Sequence, residues 1–390
     1  HAILFFMNET YCIFSANYLP NTGGVECYTQ NLAYALAGMG KRAIIVTSNV
    51  FGLAEREHLA ERIEIIRLPC RNVLKGRYPL PLKNESYKKE MAYLEAQPID
   101  NVIINTRFYF HSLEGVRFAE KKGVKPILID HGSAHLTMGN SIIDIPVSAY
   151  EHAFTAMMKR HAIDYYAVSS AGVAWLTHFG IEARGVLSNS IDAETFRNRS
   201  SERNFRAELG LDDTTFVVSF VGRLIPEKGI AALAEAASLL KGEPAIQFLL
   251  AGDGPLATLF ADGKYSNVHL LGKLDATDIS ALLSTANAFC LPTRSEGFST
   301  SLLEAAAWGT TPIITQVGGV AELMPTSDYG LLLESANAPE IVAHIRTLAA
   351  NPALNQQLGS NIKNRVDTLF SWDATANNVI AACAQANGRI

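Results

Sequence analysis

Two glutamates eight residues apart, Glu296 and Glu304, bracket the run Ser295-Glu296-Gly297-Phe298-Ser299-Thr300-Ser301-Leu302-Leu303-Glu304. An apolar stretch, 288–291, ends just before it, and a helix is predicted to begin near Ser299. Helix-start amides and the positive end of the helix dipole favour a phosphate. Gly297 and Phe298 lead into that start, the hydroxyls of Ser299, Thr300 and Ser301 surround it, and Leu302 adds an amide. Glu304 falls one to two turns into the helix and Glu296 in the loop before it. With phosphates between them, one carboxylate meets a sugar and the other a ribose. The plain alternative is an N-cap followed by a solvated helix face.

A second segment, Gly222-Arg223-Leu224-Ile225-Pro226-Glu227-Lys228-Gly229, follows an apolar stretch at 216–221 and precedes an Ala/Leu-rich helix at 229–240. Gly222 and Gly229 permit tight backbone geometry. Arg223 offers a bidentate fork and Lys228 a point charge, a combination suited to clamping a diphosphate. A surface turn with solvated charges is the alternative. In the first half, Asn21-Thr22-Gly23-Gly24-Val25-Glu26 also joins a strand to a helix, and Gly23 and Gly24 let backbone amides approach a ligand closely. It is not the G-x-G-x-x-G pattern, which disfavours a dinucleotide. Asp130-His131-Gly132 ends a further strand at 126–129 and places His131 at a sheet's ligand edge, positioned to donate to a sugar hydroxyl or to orient a substrate; a histidine capping a loop is the alternative.

These residues need a scaffold of alternating strands and helices. In the first half, apolar stretches at 11–16, 42–47, 102–105, 126–129 and 165–168 alternate with helical patterns, the first carrying Leu32, Ala35 and Leu36 on one face. In the second half, 216–221, 247–251, 268–271, 288–291 and 311–315 continue the series, with helices around 278–284 and 300–307. The polar stretch at 188–206 lacks a periodic apolar face and reads as a hinge. Alternating strands and helices imply parallel sheets covered on both faces, and such sheets bind ligands beyond the carboxyl ends of their strands. The expected fold class is therefore α/β, with two Rossmann-like parallel-sheet domains facing across a cleft. The first is 1–187, the second 207–370, and a C-terminal helix at 371–390 crosses back to the first.

Bulk properties narrow the classes. The 390 residues are 48% hydrophobic and 18% charged, with a formal net charge of -5. A dedicated nucleic-acid binder would be strongly basic. The five cysteines, Cys12, Cys27, Cys70, Cys290 and Cys383, form no C-x-x-C pair and point to no zinc site or disulfide framework. No apolar run reaches about 18 residues, which argues against a spanning helix. His1–Phe6 is apolar but short and without a basic leader, so it is not read as a signal peptide, and Met7 is a candidate natural start. One basic segment stands out: Arg67, Arg71, Lys75, Arg77, Lys83, Lys88 and Lys89 against Glu85 alone, with Leu74, Tyr78, Leu80 and Leu82 interleaved. Pro79 and Pro81 make it a loop. It is either a peripheral contact with anionic lipid or a solvated variable loop.

Together these segments resemble the retaining glycosyltransferases of family 4, also called glycosyltransferase group 1, which have the GT-B fold. The matching pieces are Gly23-Gly24-Val25-Glu26, Asp130-His131-Gly132, Leu187 to Asp192 with Phe196, Gly222-Arg223 with Glu227-Lys228-Gly229, Gly252-Asp253-Gly254-Pro255, and the pair Glu296 and Glu304. Gly318-Gly319-Val320-Ala321-Glu322 and Phe370-Ser371-Trp372 match as well; Ser190 stands where the family often has Gly. The resemblance covers nearly the whole chain. It implies transfer of a sugar from a nucleotide-diphosphate sugar, UDP first and GDP second, to a glycan or lipid-linked acceptor hydroxyl. The setting it suggests is cell-envelope polysaccharide or glycolipid synthesis in the cytoplasm, on the inner face of the membrane. Arg223 and Lys228 are then the diphosphate clamp, Glu304 the ribose acceptor, Glu296 and His131 the contacts to the transferred sugar, and Gly24 a neighbour of the donor phosphate. The amides near 299–302 take the distal phosphate, and Leu274 holds the base through its backbone. No cofactor and no metal are expected, since no D-x-D occurs. A sugar-nucleotide epimerase of the same architecture and a non-catalytic sugar-nucleotide binder are the rival readings.

Overall fold

The computed structural model describes residues 9–21, 23–136, 141–260 and 265–389. Thr22, His1–Phe6 and Met7, on which some of the expectations above fall, lie outside the described residues. The chain divides into two compact units, His1–Asn189 with Trp372–Ile390, and Ser190–Ser371.

The first unit is built on β1 (Thr10–Ser15), α1 (Gly24–Gly38), β2 (Arg42–Ser48), β3 (Arg56–Ala60), β4 (Ile63–Leu68), β5 (Cys70–Val73), β6 (Tyr78–Pro81), α2 (Glu85–Ala96), β7 (Asn101–Asn105), α3 (Phe110–Lys122), β8 (Ile127–Asp130), α4 (Ser141–Met158), β9 (Asp164–Ala167) and α5 (Ser170–Thr177). Seven strands form one sheet in the order β3-β4-β2-β1-β7-β8-β9. All pairs are parallel except β3 with β4. Every residue of β1, β4, β7, β8 and β9 is buried, as a sheet covered on both faces requires. In α1, Tyr28, Leu32, Ala35 and Leu36 form the inward face.

Two features depart from expectation. β4 escaped the apolar patterning because Glu64 and Arg67 interrupt it; both are buried and paired, Arg42 with Glu64 at 2.7 Å and Arg67 with Glu57 at 2.6 Å. The basic segment is not a loop. β5 and β6 pair antiparallel, with Arg71 opposite Leu80 and Asn72 opposite Pro79, in a separate two-stranded ribbon where prolines cost no central ladder bond. Nor is it one charged face. Arg67 is buried, and Lys83, Lys88 and Lys89 face Glu114, Glu85 and Glu55.

The second unit runs α6 (Ala193–Asn198), α7 (Phe205–Leu209), β10 (Phe216–Val221), α8 (Ile230–Leu239), β11 (Ile246–Ala251), β12 (Val268–Gly272), α9 (Ala276–Thr285), β13 (Ala288–Leu291), α10 (Thr300–Trp308), β14 (Thr311–Thr315), α11 (Val320–Leu323), β15 (Leu331–Leu333), α12 (Ala338–Ala350) and α13 (Pro352–Leu369). Its six-stranded sheet, β12-β11-β10-β13-β14-β15, is parallel throughout. The polar stretch read as a hinge carries α6 and the start of α7: Asp192 and Asn204 cap them, and Phe205 is fully buried. The last helix, α14 (Trp372–Ala386), belongs to the first unit, where Trp372 packs edge-on against Tyr28 and Asn387 bonds the backbone of Lys125. Among the described residues no helix is long and apolar enough to cross a membrane.

Candidate functional site

In a parallel open sheet the ligand crevice lies where strand order reverses. In the second unit that point is between β10 and β13, because the chain proceeds from β10 outward to β11 and β12, then returns to β13 on the other side. The loops leaving these two strands are Gly222–Gly229 and Pro292–Ser299, so the two segments with the most chemical potential are neighbours at the switch point. Their backbones are knitted together. Arg294 N donates to Glu227 O at 2.8 Å, and Thr293 Oγ1 donates to the same carbonyl at 3.1 Å. Gly229 sits at φ 71°, and a Cβ there would run into the Pro292 carbonyl. The loop after β11 is tied in by Leu224 N to Asp253 O at 2.9 Å.

Side chains converge on this frame. Lys228 forms an ion pair with Glu296, both largely buried, so the clamp lysine and the sugar-contacting glutamate of the sequence reading touch each other. Arg223 is exposed and makes no ion pair among the described residues, leaving its donors available. Ser299 caps α10: its Oγ accepts from Leu302 N at 3.3 Å and lies 3.2 Å from Ser301 Oγ. The Leu302 amide is therefore already used, contrary to the expectation that it is open to a phosphate; the amides of Thr300 and Ser301 precede it. Glu304 stands one turn further on, and burial pushes its carboxyl up to about 7. Gly297 and Phe298 are held by the next loop, since a Cβ on Gly318 would meet the Gly297 carbonyl and one on Gly319 the Phe298 ring. Gly222 and Leu274 lie at the same sheet edge, after β10 and β12.

The first unit has its own reversal, between β1 and β7, and a pocket opens there beside Ser15, Glu26, Thr106, Tyr109 and His131. Gly23 is the N-cap of α1 and Gly24 its first residue. A Cβ on Gly23 would press on Glu26 Oε2 at 2.5 Å, whereas one on Gly24 would enter open space. Glu26 is buried, accepts from Asn21 Nδ2 at 2.8 Å, and has its carboxyl pushed up by burial. His131 is held between the Tyr28 ring and Asn105, with Nε2 3.0 Å from Asn105 Oδ1. Asn105 Nδ2 donates to Thr29 Oγ1 at 2.7 Å, which fixes Oδ1 toward the imidazole. His131 Nε2 therefore carries the proton and is committed. Burial holds the ring neutral, its pKa lowered to about 3, and Nδ1 remains an acceptor. Toward the pocket the ring therefore offers Nδ1 as an acceptor, where the sequence reading expected a donor.

Sequence reasoning missed the centre of this pocket's wall. Thr106 takes a left-handed backbone, φ 67°, an uncommon conformation for a β-branched residue, and the chain turns Arg107 into the interior. Arg107 is 1% exposed and pairs with Asp130 and Glu151, both equally buried. No spacing in the chain announces a charge triad drawn from β8, α4 and the turn after β7. Arg223, Lys228, Glu296, Ser299 and Glu304 are thus gathered in the second unit, and Gly23, Gly24 and His131 in the first.

Comparison with known proteins adds the following. Residues 201–365 match the family described as glycosyl transferases group 1. An MMP alpha-(1->4)-mannosyltransferase of Mycolicibacterium hassiacum is 28% identical over 251 residues, which span 61% of this chain and 59% of that one. The GPI3 subunit of a phosphatidylinositol N-acetylglucosaminyltransferase from Saccharomyces cerevisiae is 22% identical over 93% of this chain and 80% of its own. Among solved structures, Anabaena HepE in complex with UDP superposes with a TM-score of 0.70 at 16% identity, covering 97% of this chain and all of that one (100%).

Proposed function

Because the chain belongs to the group 1 glycosyltransferases and has the GT-B fold, we propose that it is a metal-independent, retaining transferase that moves a hexose from a nucleoside-diphosphate sugar, UDP first, to a glycan or lipid-linked acceptor. The observation that carries the reading is the meeting of Arg223, Lys228 and the start of α10 at the second sheet's switch point. Departure of a nucleoside diphosphate leaves an oxocarbenium-like sugar, and the main catalytic task is to stabilise charge growing on the leaving phosphate. Arg223 supplies a fork for it. Lys228 arrives already oriented by Glu296 and shifts from carboxylate to diphosphate as the donor binds. Glu296, freed of that cation, accepts from the sugar hydroxyls. The α10 amides of Thr300 and Ser301 take the distal phosphate, and Glu304 accepts from the ribose.

On the first unit, His131 Nδ1 accepts from the transferred sugar and the amide of Gly24 borders the donor phosphate. The acceptor proton goes to the leaving phosphate, with attack on the same face. UDP is supported by the solved neighbour bound to UDP, and a lipid-linked acceptor by the relative named as a subunit of a phosphatidylinositol N-acetylglucosaminyltransferase. The peripheral membrane contact narrows to the ribbon tip, where Val73 and Leu74 are exposed between Arg71 and Arg77; it would hold the protein on the inner face of the membrane.

The test is nucleotide release from UDP- and GDP-sugars with and without candidate acceptors. Arg223→Ala and Lys228→Ala each lower turnover by about 10²-fold or more, the scale of one lost charge-stabilising donor. Near-normal turnover by both variants removes the clamp. Epimerised sugar nucleotide in the absence of acceptor points instead to an epimerase, and binding without any turnover to a sensor.

A further inference from the structure

We propose that His135, His152 and His178 form a binding site for one divalent transition-metal ion of the zinc class, in the first unit and separate from the donor chemistry. The three come from three segments: the turn after β8, the middle of α4 and the C-cap of α5. One ligand nitrogen from each lies within 4.8 Å of the others. His178 Nε2 and His152 Nε2 are 3.3 Å apart. Zinc–nitrogen bonds of about 2.0–2.1 Å in a tetrahedron put ligand nitrogens roughly 3.3–3.4 Å apart, so this pair already has metal-ligand spacing.

His135 is prepared from behind. Its Nδ1 is 2.8 Å from Glu151 Oε2, while Glu151 Oε1 faces Arg107. Glu151 Oε2 also accepts from Leu136 N at 3.3 Å, so it is an acceptor toward the ring: Nδ1 donates to it and Nε2 presents a lone pair. A carboxylate behind an imidazole is the arrangement that orients metal-ligating histidines. Trp175 sets the remaining geometry: the His178 ring stacks on it at 4.9 Å with planes 6° apart, and the His135 ring stands edge-on at 4.7 Å. His152 and His178 are exposed, so an ion reaches them directly, and water completes the coordination.

The consequence is structural. His135 lies four residues after His131, and its neighbours Ala134 and Leu136 line the pocket at the first switch point. An ion held by α4, α5 and this turn pins the pocket wall.

The test uses the full chain without an affinity tag, stripped with a chelator, titrated with Zn2+ by calorimetry and with Co2+ by visible absorption. One equivalent of each ion binds, and Co2+ develops the intense bands of a tetrahedral site. His152→Ala and His178→Ala weaken binding by at least about tenfold each, with the thermal unfolding of the metal-free protein unchanged because both side chains are exposed. Absence of saturable one-equivalent binding in the parent overturns the proposal whether or not the variants fold. Undiminished binding in the His152→Ala/His178→Ala double variant overturns it equally.

Discussion

At the scale of single residues, the edge proposed to take the donor is a set of charges held ready. Lys228 and Glu296 neutralise each other in the free protein, and both were legible in the sequence as charges flanking a sheet edge. Their direct contact was not, because they are 68 positions apart and only the β10/β13 reversal joins their loops. Glu304 titrates where assays are run. Burial raises its folded pKa above the unfolded value, so its contribution to stability is full below about pH 4.5 and is lost as the pH rises through about 7. Glu304→Gln should therefore stabilise the free protein at pH 8, by on the order of 1–2 kcal/mol, and much less at pH 5, as thermal unfolding at the two values would reveal. If Glu304 accepts from a ribose as proposed, the same substitution should flatten the pH dependence of nucleotide affinity, which in the parent should weaken below pH 7 as the carboxylate gains a proton. Equal stability of parent and variant at both pH values counts against a desolvated Glu304 carboxyl.

At the scale of elements, the strands that surround both switch points read clearly because each has an apolar interior, broken only by Ser219 in β10. Those that did not read carry buried charge or proline. Glu64 and Arg67 hide β4, and Pro79 and Pro81 disguise a ribbon as a loop. The histidine trio was invisible for a related reason: 17 and then 26 positions separate its members, and only the packing of α4 and α5 beside the β8 turn collects them. Two glycines separate backbone roles from ligand roles. Gly229→Ala places a Cβ at φ 71° against the Pro292 carbonyl and should cost at least about 2 kcal/mol in chemical denaturation. Gly24→Ala places its Cβ in open space, so stability should hold while turnover falls if a donor phosphate approaches that amide. A Gly24→Ala variant with full turnover releases Gly24 from the site.

At the scale of the whole molecule, a mainly parallel and a wholly parallel sheet each carry a strand-order reversal, and the family match falls on the second unit, over residues 201–365. The specific charges are there as well. The first unit presents a neutral His131, a Glu26 carboxyl raised by burial and a buried charge triad, chemistry suited to hydroxyls rather than phosphates. The second unit was more legible because its cations and helix start sit in short, contiguous loops, the form that the proposed diphosphate recognition demands. Recognition of hydroxyls uses polar atoms scattered over several strand ends. The central claim is that a nucleoside diphosphate is held by Arg223 and Lys228. Titration calorimetry of UDP, GDP and ADP against the parent, Arg223→Ala and Lys228→Ala tests it most directly. One diphosphate, UDP first, should bind the parent, and each variant should bind it about tenfold more weakly or worse, the equivalent of one charge-assisted hydrogen bond. Binding of none of the three, or equal binding by the parent and both variants, would contradict the account.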